Sequence, residues 1–180
     1  LRQRVAATTH ADGSPSGDRS AVRFAGAVAG RRAVALLSGD RSVAGTVVEV
    51  AGAGVTAERR LLPVPTPEDR DRTVRRDHRD VDVDDALARA ERALDERIGP
   101  IEQVGERESF PVPYYLAGVA DTQGFSDARA AEFAAGVDRD WDRAFIKALG
   151  EGLERYCAGV YRRSEFTVAP ERTRSNPIPP

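Results

Sequence analysis

Two glutamates one helical turn apart, Glu151 and Glu154, are the residues of this 180-residue chain best placed to do chemistry. Carboxylates at i and i+3 of a helix project the same way and can share a hard cation. Mg²⁺ takes oxygen ligands, usually one or two carboxylates plus phosphate oxygens, so the spacing suits a metal–nucleotide site. The plain alternative is a solvated helix face. Lys147, four residues before Glu151, would then form an ion pair worth about a few tenths of a kcal/mol. Other candidates carry less. His10 and His78 stand in polar surroundings without a spaced metal or nucleophile partner and read as solvated. Cys157 is the single cysteine, which excludes an intramolecular disulfide and a zinc site built on cysteine pairs. Its place in an apolar helix, with no activating histidine nearby, predicts a buried, inert thiol. Tyr114 and Tyr115, beside prolines, are read as packing residues. No catalytic side chain can be named from the sequence.

The glutamates need a helix to hold them, and Asp140–Tyr161 supplies the strongest helical pattern. Trp141, Phe145, Ala148, Leu149, Leu153, Tyr156 and Val160 recur at three- and four-residue steps. Lys147, Glu151, Glu154, Arg155 and Ala158 occupy the other face. Upstream, Asp82–Ile98 reads as an amphipathic helix with Asp84 or Asp85 at its start, stopped by Gly99-Pro100. Ile101–Glu106 and Val112–Val119 read as strands. Phe125–Gly136 fits either a capped helix or a strand leading into a turn. Nearer the N-terminus, residues 8–20 read as a loop, Ala21–Gly39 as a helix, and Ser42–Val55 and Thr56–Leu62 as strands. A proline segment, Pro63-Val64-Pro65-Thr66-Pro67, and the charged stretch Glu68–Asp82 read as a linker. The expected organisation is a small α/β arm over 1–80 and a second unit over 81–180. The fold class is α+β, with helices packed on a mixed or antiparallel sheet.

Composition limits the function classes. Hydrophobic residues make up 41% and charged residues 31%, enough to bury a core. The formal net charge is -2, and no basic excess points to nucleic acid or an anionic membrane. The most apolar stretch, Phe24–Leu37, is interrupted by Arg31 and Arg32, so no membrane span is expected. The lone cysteine fits a reducing cytoplasm. The start, Leu1-Arg2-Gln3, and the end, Pro177-Ile178-Pro179-Pro180, read as cuts inside a longer chain.

The string Ala144-Phe145-Ile146-Lys147-Ala148-Leu149-Gly150-Glu151-Gly152-Leu153-Glu154-Arg155-Tyr156 resembles a helix of the YcaO family, whose pattern runs roughly Ala-x-x-Ser-Ala-Leu-x-Glu-x-x-Glu-Arg-Tyr. The resemblance covers about residues 80–180, where the order of helix, Gly-Pro stop and strands is also similar. It implies ATP and Mg²⁺ as cofactors, with Glu151 and Glu154 as metal-linked glutamates and Arg155 at the nucleotide site, either pairing with one of them or facing phosphate. It implies an activity on peptide backbone amides, whose oxygen is phosphorylated on the way to an azoline (cyclodehydratase) or a thioamide. The implied partners are a ribosomal peptide or protein substrate and a leader-binding or sulfur-delivery protein. A homodimer is an open alternative, as is a non-catalytic scaffold or leader-peptide-binding module. Two departures stand out: Val137 occupies the place of a family lysine, and Lys147 the place of a family serine. The remaining glutamates of the family would lie beyond residue 180, so residues 1–180 alone are not expected to catalyse. Glu58-Arg59-Arg60-Leu61-Leu62-Pro63-Val64-Pro65 and the elements before it resemble the tail of a ThiF-like domain. The cysteine pair common in such tails is replaced by Thr66-Pro67-Glu68, so no zinc is expected.

Overall fold

The computed structural model describes residues 18–50, 55–62, 81–161, 163–165 and 169–173. Among them are three α-helices and two antiparallel sheets, an α+β fold. Of the loop expected over residues 8–20, residues 8–17 lie outside the described residues, as do residues 63–80 of the linker, His10 and His78, while Asp18–Ser20 form the cap and first turn of a helix.

The first helix, α1, spans Arg19–Leu37. Asp18 caps it by accepting from the Ser20 N–H, and Gly39 at φ 91° ends it, a conformation that favours glycine. The expected strand from residue 42 starts later. Asp40 accepts from the Ser42 N–H and holds Arg41–Val43 in a 3₁₀ turn, so β1 is Thr46–Val50. It pairs antiparallel with β2, Thr56–Arg60, from Thr46↔Arg60 to Val50↔Thr56. Arg32 of α1 donates to the Val43 carbonyl at 3.0 Å and meets Glu58 at 3.3 Å, tying helix to hairpin.

Helix α2 covers Val83–Ala90, capped by Asp82 with Asp84 and Asp85 in its first turn. It is shorter than its apolar pattern predicts. Glu91–Ala93 tightens to a 3₁₀ turn, and Asp95 then accepts the N–H groups of Arg97 (2.9 Å) and Ile98 (3.1 Å). An aspartate bonding its own downstream backbone gives the chain an alternative to continuing the helix.

The second sheet has the order β3–β4–β5: Ile101–Glu108, Tyr114–Val119 and Phe133–Val137, all antiparallel. The ambiguous stretch from Phe125 thus ends as a strand. The loop before it is organised by fully buried Thr122, whose hydroxyl donates to Ala128 O and accepts from Ala130 N, both at 2.9 Å.

One face of this sheet carries α3, Trp141–Ala158. The core between them holds Ile101, Ala117, Val119, Ala134, Ala148, Leu149 and Tyr156. Ile101 and Leu149 are fully buried, contributing about 1.5–3 kcal/mol each. Glycines let the layers approach: a Cβ on Gly136 would lie 2.1 Å from the Ala144 carbonyl, and one on Gly152 would lie 2.7 Å from Ile101 Cδ1. Tyr115 packs edge-on against Trp141 and Phe145, with centroids 6.3 and 5.6 Å away, as packing aromatics do.

Candidate functional site

Helix α3 is built to present one face. Asp140 accepts from the Arg143 N–H at 2.9 Å, Asp142 sits in the first turn and Arg155 in the last, each complementing the helix dipole. Ala144, Ala148, Leu149, Gly152 and Tyr156 face the sheet. With that stripe fixed, Lys147, Glu154 and Arg155 are exposed and Glu151 lies at the margin, its side chain 41% exposed. The structure therefore brings Glu151, Glu154 and Arg155 together on one accessible face.

Arg155 Nε donates to Glu151 Oε1 at 2.8 Å. Glu154 makes no hydrogen bond or ion pair with a described residue. Lys147 does not pair with Glu151 as the spacing suggested. Its ammonium meets Asp138 Oδ2 at 2.7 Å and the Val137 carbonyl at 3.2 Å. Helical side chains lean toward the N-terminus, so Lys147 reaches back past the start of α3, and Arg155 reaches back to Glu151. Hydrogen bonding from Lys147, then from the Asp140 N–H, lowers the Asp138 carboxyl to about 2.

Cys157 is exposed, which corrects the expectation of a buried thiol. It follows buried Tyr156 by one residue, and one step turns a helix about 100°, away from the sheet.

Among the described residues no group of three or more His, Cys, Asp or Glu is arranged to hold a metal. A groove of about 230 Å³ lies on the other side of the sheet, lined by Gln103, Gly105, Arg107, Leu116, Gly118 and Phe133. Another, of about 320 Å³, lies between Arg60 and the segment Glu91–Asp95. Neither is lined by Glu151 or Glu154.

Two electrostatic features gave no signal in the sequence. Burial, and then the charge of Asp121, raises the Glu102 carboxyl at the start of β3. At the joint between the hairpin and the Asp95 turn, Arg59 meets Glu49 (3.1 Å), both Asp95 oxygens (3.1 Å) and Glu96 (3.3 Å), while Arg97 also contacts Glu49. Burial works against both charges, yet Asp95 sits below its ordinary value because the N–H groups of Arg97 and Ile98 and the Arg59 guanidinium outweigh it. Arg59 is correspondingly raised by Asp95 and Glu96.

No family model, no curated protein and no solved structure matches the chain.

Proposed function

We propose that this chain is part of an ATP- and Mg²⁺-dependent enzyme of the YcaO type that activates peptide backbone amides, giving an azoline or a thioamide. The observation that carries this reading is that Glu151, Glu154 and Arg155 share one accessible face of α3. Val137 stands at the family's lysine position, and the Lys147 ammonium lies 3.2 Å from the Val137 carbonyl. It is one turn before Glu151 on the accessible side of α3. The face thus offers two carboxylates followed by Arg155, while the Lys147 ammonium is held by Asp138 at 2.7 Å.

The donor set fits a Mg²⁺ held chiefly by phosphate. Glu151 gives Arg155 only one oxygen, and Glu154 is unpaired among the described residues. Mg²⁺ commonly takes one or two carboxylates and completes its shell with phosphates and water. When bound, the ion would neutralise charge on a transferring phosphoryl group. Glu151 and Glu154 would hold it, and Arg155 would orient Glu151 or face phosphate. The substrate would be a ribosomal peptide or protein.

A second reading, a non-catalytic scaffold or leader-peptide-binding module, is favoured by one observation: the described residues supply only two carboxylates at this place, with no third metal ligand. Mg·ATP titration by calorimetry separates the two, comparing wild type with Glu151→Ala and Glu154→Ala. The enzymatic reading expects each variant to weaken nucleotide binding about tenfold or more, the loss of one charge-assisted contact. Unchanged affinity in both variants, or no ATP binding by wild type, removes the site assignment.

A further inference from the structure

We draw no further inference here: the strongest candidate, the uncharged outer edge of β5 at Phe133–Val137, where Phe133 is 49% and Val137 47% exposed, carries nothing because no described residue shows what covers it.

Discussion

Removing the Asp95 carboxylate should unfasten the joint between the β1–β2 hairpin and the segment leading into β3. In Asp95→Ala two N–H groups, those of Arg97 and Ile98, lose their acceptor, and Arg59 loses a contact to both carboxylate oxygens. Both side chains are only 17% exposed, so water replaces little of this. Losing a capping aspartate costs about 1 kcal/mol, and losing a charge-assisted pair to Arg about 1.5–3 kcal/mol. Arg59 keeps Glu49 and Glu96, which places the net cost near the lower end, about 2–3 kcal/mol. For a chain of this size that is roughly a 5–10 °C fall in Tm, readable by thermal circular dichroism. Asp95→Asn isolates the charge. The folded carboxyl lies below its ordinary value of 3.8, so its stabilisation is present above that value and is lost as pH falls through the folded pKa. The gap between wild type and Asp95→Asn should therefore be full at pH 7 and narrow below pH 4. A double-mutant cycle with Arg59→Ala measures the coupling directly. A loss below about 0.5 kcal/mol in Asp95→Ala, or a gap to Asp95→Asn that does not change with pH, would refute the reasoning.

Two glycines of α3 should respond to alanine with opposite signs: Gly150 is open, and Gly150→Ala should stabilise by about 0.4–1 kcal/mol in urea unfolding. Gly152→Ala meets fully buried Ile101 and should destabilise by about 1–3 kcal/mol despite the better helix former. Lys147→Ala should let the Asp138 carboxyl rise from about 2 toward 3.8, followed by side-chain NMR titration. The sign follows from removing the hydrogen bond that favours the carboxylate, so acid sensitivity credited to Asp138 between those values should fade in the variant. Exposed Cys157 should react with a thiol reagent in the native protein at a rate close to that in denaturant, whereas a buried thiol would react only after unfolding.

Periodicity made the main elements legible, because burial imposes it. Ala148, Leu149 and Tyr156 face the sheet, and the strands Ile101–Glu108 and Tyr114–Val119 lie where β-rich runs predict them. The failures are of other kinds. Membership of an apolar helix predicts a buried Cys157, but its angle decides, and one residue past Tyr156 is enough to reach solvent. The Asp82–Ile98 pattern places Ala93 and Ile98 in the core and Ala86, Leu87 and Ala90 half-buried, but Leu94 is exposed, because the backbone bonds of Asp95 end the helix early. The Arg59–Asp95 contact joins residues 36 apart, and nothing in either local pattern announces it.

The Lys147 error bears most on function. Spacing alone allows 147 to pair with 151, but in that order the acid follows the base, the weaker arrangement on a helix. Glu151 before Arg155 is the stronger order, and it is the one that forms, at 2.8 Å. Lys147 is drawn instead to Asp138, in the turn that delivers the chain from β5 into α3. Both carboxylates of the candidate site are thus spared a lysine ammonium contact. Glu151 is oriented from one side by Arg155, and Glu154 projects from the same face without a described partner. Here the lysine ammonium is paired with Asp138, and Glu151 with Arg155, which leaves the Glu154 carboxylate as the net negative charge where the proposed ion would sit.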